Sequence, residues 1–211
     1  MESRAYELSS SVNKKLKISV IPGHFATNHS HITHYIDLTK LKTSHVHARN
    51  TAVELASRYV ATDIDSIICM DGMEVIAAFL AEELASAGSG VNREKSIRII
   101  TPEYNQNNQM IFRHNVEKAV WNKRVLILLA SATTGKTINR SLECIKYYNG
   151  EVVAVAAIFS AAQSVQDIDI VSLFSEEDIV GYNTYSFTDC PYCAEKTKID
   201  AIVNAYGYLK I

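Results

Sequence analysis

The sequence has few of the features that mark secreted, membrane-bound or nucleic-acid-binding proteins. Its four cysteines in 211 residues are too few for a disulfide framework. The formal net charge is −2, and the basic residues form no stripe that would suit a nucleic acid. No apolar signal core opens the chain, and no segment reaches the length of a membrane span. We therefore expect a cytoplasmic protein with neither a nucleic-acid nor a membrane partner.

The sequence does contain a regular alternation of short apolar runs and helical patterns. The apolar runs predict strands at 33–38, 66–70, 96–100, 125–130 and 152–159. The helical patterns predict helices at 45–60, 72–87 and 136–148, with further short helices at 1–17 and 193–206. Residues 102–109 are polar and predict a mobile loop. These strand–helix–strand units predict an α/β fold with a doubly wound parallel sheet, in one domain over residues 1–211.

The segment after the predicted strand 125–130 has the composition of a phosphate-binding loop. It consists of Ser131, Ala132, Thr133, Thr134, Gly135, Lys136 and Thr137. Successive backbone N–H groups and a helix N-terminus together suit an anion at such a place. Alternatively, the hydroxyl residues serve only as helix caps. The loop also fits a loose Walker A pattern, but the next strand ends without the acid that would hold magnesium, which argues against a nucleoside triphosphatase.

Several segments occur in the order seen in one enzyme family. They are PGHF at 22–25, THYIDL at 33–38, SIICMDGMEVIAAFLAEEL from 66, VLILLASATTGKT from 125, NGEVVAVAAIF from 149 and DCPYC at 189–193. Together they resemble the type I phosphoribosyltransferases, and among these the orotate phosphoribosyltransferases. The resemblance implies an N-terminal hood at 1–45, a core at 46–175 and a C-terminal extension at 176–211. It also implies a homodimer that acts in pyrimidine nucleotide metabolism.

The resemblance further implies a ligand and a cofactor. The ligand is a small molecule with a ribose 5-phosphate group, either phosphoribosyl pyrophosphate (PRPP) or a nucleotide monophosphate. Met70, Asp71 and Gly72 stand where the family has its pyrophosphate loop. Mg²⁺ carried by the pyrophosphate is the implied cofactor of an active enzyme, and no other cofactor is expected.

The sequence departs from the family at several positions that serve catalysis. The adjacent acids that hold the ribose in the family fall on Leu129 and Ala130, which cannot stabilise a developing positive charge. The Asp-Arg pair after the last core strand falls on Ser160 and Ala161, and the basic pair after strand 96–100 is missing. We therefore assign no catalytic residue. We predict a protein that binds ribose 5-phosphate with doubtful catalytic competence, or alternatively a non-catalytic nucleotide-sensing or regulatory protein on the same fold.

Three further groups of residues have both a structural and a functional interpretation. Arg113 and His114 follow the polar loop and are interpreted as solvated residues, although they could replace the lost basic groups. His24, His29, His31 and His34 are interpreted as a polar segment rather than a metal site, because zinc needs three or four convergent ligands. Cys190 and Cys193 are interpreted either as two packed thiols or as half of a zinc site completed by a symmetric partner. The sequence thus predicts no metal site within one chain.

Overall fold

A computed structural model describes residues 1–86, 88, 90–107 and 109–211 of the chain. Its strands are β1 (Tyr6–Ser9), β2 (Lys17–Ala26), β3 (His31–Asp37), β4 (Ser66–Cys69), β5 (Arg98–Ile100), β6 (Glu103–Tyr104), β7 (Met110–Ile111), β8 (Arg124–Ala132), β9 (Glu151–Ser160), β10 (Ser164–Val165), β11 (Ile168–Ser175), β12 (Thr184–Tyr185), β13 (Ala201–Asn204) and β14 (Gly207–Lys210). Its α-helices are α1 (Thr39–Thr43), α2 (His45–Ala56), α3 (Glu74–Ser86), α4 (His114–Glu117), α5 (Lys136–Tyr147) and α6 (Pro191–Ala194). Within these residues, no helix is both long and apolar enough to cross a lipid bilayer.

The larger core is built on a six-stranded sheet in the order β10-β11-β9-β8-β4-β5. All pairs from β11 to β5 are parallel, and the short strand β10 adds an antiparallel edge. Continuous apolar runs such as β8 suit a parallel sheet because both faces of each strand are covered. The predicted α/β fold with a doubly wound parallel sheet is confirmed.

Alternate side chains of β8 serve two separate hydrophobic clusters, one on each face of this sheet. Leu126 and Leu128 belong to the cluster that includes residues of α2 and α3. Ile127 and Leu129 belong to the cluster that includes residues of α5. The period of two along a strand therefore positions helices on both faces, as the sequence predicted.

A second six-stranded sheet, which we call the hood sheet, consists of β1, β2, β3, β12, β13 and β14. Strand β2 pairs antiparallel with β3 and parallel with β13, so that Phe25 lies opposite Ala201. Segments far apart in sequence thus share one sheet, and the residues assigned to the C-terminal extension contribute three of its strands.

Two predicted helices are wrong, and both segments belong to the hood sheet. Residues 1–17 contain only a single 3₁₀ turn at Glu2–Arg4, and then β1 pairs with β2. Residues 193–206 contain the end of α6 and then β13, which pairs with β14. In each case strand pairing determined the structure of a segment with weak local preference, since β1 pairs with the next strand and β13 pairs with both β14 and the distant β2.

The polar segment predicted as a loop forms a small two-stranded hairpin of β6 and β7, which we call the lid hairpin. The loop residue Asn108 and the last residue of the predicted helix 72–87, Ala87, lie outside the described residues. The other predicted strands and helices of the core occur within a few residues of their predicted bounds, and Asn149 ends α5 with a positive φ of 57°.

Candidate functional site

The phosphate-loop candidate consists of the last two residues of β8, the turn at residues 133–135 and the first two residues of α5. Gly135 makes this turn with a φ of +68°, a conformation that side chains with a Cβ rarely adopt. A Cβ at this position would lie 2.7 Å from Cγ2 of Val165. The first N–H groups of α5 have no acceptor within the helix and carry a partial positive charge. The loop therefore presents backbone donors at the edge of the sheet where α/β proteins bind ligands.

The structure separates the seven loop residues into those that face a cavity and those that do not. Ser131, Thr133 and Thr137 line a cavity of about 400 Å³ between the core sheet and the hood sheet. Ala132 and Gly135 are buried, whereas Thr134 and Lys136 are exposed and lie outside the cavity lining. The loop itself contains no acidic residue that would oppose an anion.

The pyrophosphate-loop candidate reaches the same cavity through Asp71, while Met70 is buried in the core. Both Asp71 and Gly72 have a positive φ, of 61° and 72°, so the chain turns sharply after β4. The Asp71 carboxylate accepts a hydrogen bond from the backbone N–H of Ala130 at 3.4 Å. Burial raises the pKa of Asp71, although this N–H and the nearby ammonium of Lys42 act in the opposite direction.

Lys42 of α1 is a site residue that sequence reasoning missed. Its Nζ donates hydrogen bonds to the carbonyl oxygens of Asp71 at 3.0 Å and Ala205 at 2.5 Å. It also lies 5.6 Å from the centre of the Tyr206 ring. Burial lowers the pKa of Lys42, and the neighbouring carboxylates partly restore it. Lys42 thus joins the pyrophosphate loop to the β13–β14 turn and adds a positive charge beneath the cavity.

Side chains from the hood sheet and the lid hairpin complete the walls of the cavity. The contributing residues include Asn28, His29, Tyr35, Tyr104, Tyr182 and Tyr206. Burial raises the pKa of Tyr104 to about 12, so its phenol is neutral and remains a hydrogen-bond donor at neutral pH. A cavity with polar groups on one side and aromatic side chains on the other suits a phosphorylated sugar that carries a planar base.

The positions of the family's acid pair are closed to the cavity. Leu129 and Ala130 are each 1% exposed and belong to the two hydrophobic clusters of the core. At the end of the next strand, Ser160 donates its hydroxyl to the carbonyl oxygen of Ala162 at 2.6 Å. None of these three residues therefore places a negative charge where it could stabilise a ribosyl cation.

Residues that suit Mg²⁺ are correspondingly scarce. Within the described part of the chain, Asp71 is the one carboxylate that lines the cavity. Mg²⁺ is usually held by one or two carboxylates together with substrate phosphates, and a carboxylate with a raised pKa is a weak ligand. One carboxylate matches the usual Mg²⁺ site only when the pyrophosphate of a ligand supplies further oxygen ligands, which is the form of Mg²⁺ that the sequence led us to expect.

Arg113 and His114 do not line this cavity. Arg113 forms an ion pair at 2.5 Å with Glu103 across the lid hairpin, and both side chains are mostly exposed. His114 contacts Glu117 at 3.0 Å and is fully exposed. Their geometry agrees with the interpretation as surface residues. A larger cavity of about 850 Å³ lies beside the lid hairpin and α5, but it includes only Thr137 of the phosphate loop.

A separate group of His and Cys side chains lies at the outer part of the hood sheet. His24 and His31, on adjacent strands, meet Cys190 and Cys193 at the start of α6. Their ligand atoms lie within 4.8 Å of one another. The two other histidines of the predicted polar segment, His29 and His34, are not part of this group. Sequence reasoning examined each pair separately and did not bring the two pairs together.

Replacing Gly135 tests whether the loop conformation depends on glycine. We expect Gly135→Ala to lower the free energy of unfolding by about 1–3 kcal/mol, because the new methyl group meets both a strained φ and Val165. Urea unfolding measures the change. Gly88→Ala is the control, since its added Cβ meets no atom of the described residues within 4 Å, and it should change stability by less than about 0.5 kcal/mol. Equal stability of Gly135→Ala and the wild type would contradict this loop geometry.

Comparison with known proteins provides both sequence and structural relatives. No family model matches the chain. The orotate phosphoribosyltransferase of Caldanaerobacter subterraneus is 26% identical over 181 residues, which cover 85% of this chain and 88% of that protein. The orotate phosphoribosyltransferase of Aeropyrum pernix superposes with a TM-score of 0.53 at 19% identity, covering 76% of this chain and 90% of that chain.

A third relative was solved with a ligand. An orotate phosphoribosyltransferase of Mycobacterium tuberculosis in complex with PRPP superposes with a TM-score of 0.50 at 16% identity, covering 69% of this chain and 82% of that chain. The structural matches establish the fold, and the sequence match points to the same group of enzymes.

Proposed function

Because this chain is a type I phosphoribosyltransferase by fold, with orotate phosphoribosyltransferases among its relatives, we propose that it binds a ribose 5-phosphate group in the cavity beneath the hood sheet. The observation that carries the proposal is the loop at the end of β8, which has no acidic residue of its own and presents hydroxyls and backbone donors to the cavity. The ligand is PRPP or a nucleotide monophosphate. The 5′-phosphate lies at Ser131, Thr133 and Thr137.

Each part of the ligand has a chemical counterpart in the cavity. The phosphate accepts hydrogen bonds from the loop hydroxyls and the N-terminus of α5. The ribose lies between this loop and Asp71, whose carboxylate can accept a hydrogen bond from a sugar hydroxyl. A planar base stacks against the aromatic side of the cavity, where Tyr35, Tyr104 and Tyr206 lie. Binding of this kind uses none of the positions at which the family's acids are lost.

We expect this site to transfer the phosphoribosyl group to a base much more slowly than an enzyme that has the family's acid pair. The family reaction breaks the bond between the anomeric carbon and pyrophosphate, and positive charge develops on the ribose in the transition state. Leu129 and Ala130 supply no negative charge at that point and are sealed in the core. This observation favours a second candidate function, a nucleotide-sensing protein that binds a nucleotide monophosphate without turning it over.

Calorimetric titration of the full chain tests the proposed binding site. We expect uridine 5′-monophosphate, PRPP or ribose 5-phosphate to bind, and uridine, which lacks the phosphate, to bind at least about 100-fold more weakly. Thr133→Glu should weaken binding of the phosphorylated ligands by a similar factor, since it places a negative charge on the cavity wall.

The matched control adds the same charge elsewhere. Ser11 is exposed in the connection between β1 and β2, so Ser11→Glu should bind each ligand like the wild type. Equal affinity of Thr133→Glu and the wild type would refute the phosphate site. Binding that does not depend on the phosphate would show that the loop only caps α5.

A further inference from the structure

We propose that His24, His31, Cys190 and Cys193 form a tetrahedral zinc site within one chain. Nothing in this inference depends on the phosphate loop. The four ligand atoms, one from each residue, all lie within 4.8 Å of one another. Two nitrogen and two sulfur ligands in a tetrahedral arrangement are the donor set of a structural zinc site, in which no position is left open for a substrate.

The distances between the ligand atoms fit a common central ion. Zn²⁺ with bonds of about 2.3 Å to sulfur and about 2.0–2.1 Å to nitrogen separates its ligand atoms by about 3.3–3.8 Å in a tetrahedron. Cys193 Sγ lies 3.3 Å from His31 Nδ1 and 3.7 Å from His24 Nε2. Cys190 Sγ lies 3.5 Å from His24 Nε2, and the two imidazole nitrogens are 3.0 Å apart. These separations approximate the edges of such a tetrahedron.

The surroundings of His24 prepare its ring for a metal. Its Nδ1 lies 3.0 Å from the carbonyl oxygen of Thr197 and donates to it in the neutral tautomer. That hydrogen bond leaves Nε2 without a proton and directs its lone pair at the cluster, which is the usual outer contact of a zinc-bound histidine. The backbone N–H of His24 is bound in turn by the carboxylate of Asp200 at 3.0 Å.

Burial and oxidation state also agree with a metal site. His24 and Cys190 are each 2% exposed and His31 is 7% exposed, whereas Cys193 is exposed, so three of the four ligands are shielded from solvent. Both cysteines are free thiols rather than a disulfide. On binding Zn²⁺ each thiol gives up its proton and coordinates as a thiolate, so the two negative charges balance the dication.

The topology explains why a metal would be useful here. His24 and His31 lie on β2 and β3, and the turn between these strands carries Thr27, Asn28 and His29 to the cavity wall. The cysteines lie at the start of α6, about 160 residues later, in a segment with little regular structure. Zinc would therefore fix the cavity-lining turn to the chain segment that leads into β13.

Metal analysis of the full chain tests this site. We expect elemental analysis by inductively coupled plasma mass spectrometry to find about one zinc ion per chain in purified wild-type protein. Cys193→Ser and His31→Asn should each reduce this content to about one tenth or less. Cys144→Ser and His29→Asn are the matched controls and should keep the full zinc content, since neither residue belongs to the cluster.

Two measurements on the wild type do not depend on the folding of any variant. Co²⁺ in place of zinc should give a thiolate-to-metal charge-transfer band and the visible bands of a tetrahedral complex. Removal of zinc by a chelator should lower the melting temperature by about 5 °C or more and make Cys193 reactive toward an alkylating reagent. Wild-type protein without zinc and without these cobalt bands would overturn the proposal. Full zinc content in both ligand variants would also overturn it.

Discussion

Purified protein supplied with orotate and PRPP is expected to form the nucleotide at least about 10⁴-fold more slowly than an ordinary enzyme turns over. Each missing charge contact to the transition state costs about 10² to 10³ in rate, and two acids are absent at Leu129 and Ala130. Ordinary turnover numbers are about 1–10³ per second. The assay measures orotate consumption and nucleotide formation together, with a panel of other bases in parallel.

The assay needs a control that shows that the protein is folded and still binds a ligand. The same preparation should bind uridine 5′-monophosphate by calorimetry, which separates a lost reaction from a lost site. An ordinary turnover number with orotate would refute this prediction. It would also direct attention to Asp71 and Lys42 as the nearest charged groups that could replace the missing ones.

Leu129→Asp is expected to destabilise the protein by about 3 kcal/mol or more rather than to restore the family's acid. Leu129 is 1% exposed and packs in the hydrophobic cluster that includes residues of α5. A carboxylate there is taken out of water without a partner, and removal of the leucine also leaves a cavity. Urea unfolding near neutral pH measures the loss, which should shrink at acidic pH as the carboxylate becomes protonated.

Leu129→Met separates the effect of charge from the effect of altered packing. It conserves volume and should cost less than about 1.5 kcal/mol. If Leu129→Asp were as stable as the wild type, the end of β8 would open to the cavity and the position could accept an acid without rearrangement of the core.

The centre of the core sheet was predictable because β4, β8 and β9 are mostly apolar and helices follow β4 and β8, whereas β11, which contains Asp169 and Ser172, was not predicted. The apolar runs at β8 and β9 are typical of buried strands in a parallel sheet. The position of the loop to which we assign the phosphate was predictable for the same reason, since it connects a buried strand to a helix. Of the hood sheet only β3 was predicted, because β13 and β1 gain their structure from pairing with β2 rather than from local preference.

The rest of the site depends on contacts between distant segments. Lys42 reaches a carbonyl oxygen at Ala205, a separation of 163 residues that no local pattern reveals. The group formed by His24, His31, Cys190 and Cys193 also depends on distant segments, because His24 and Cys190 are 166 residues apart. His29 and His31 are two residues apart in sequence, but the side chain that meets His31 is His24 of β2, which lies two residues before Ala26, the strand partner of His31. Knowledge of the hairpin register is needed to find that partner.

The pairing of β2 with β13 also sets the order in which the cavity can appear during synthesis. The core sheet needs only residues up to β11, and β2 and β3 are made before any of it. The wall of the cavity, however, includes Ala205 and Tyr206, which are synthesised after every residue of the loop at 131–137. The cavity of a nascent chain therefore stays open on this side until these residues have been made. A ligand that needs them can stabilise the chain only after they have been synthesised.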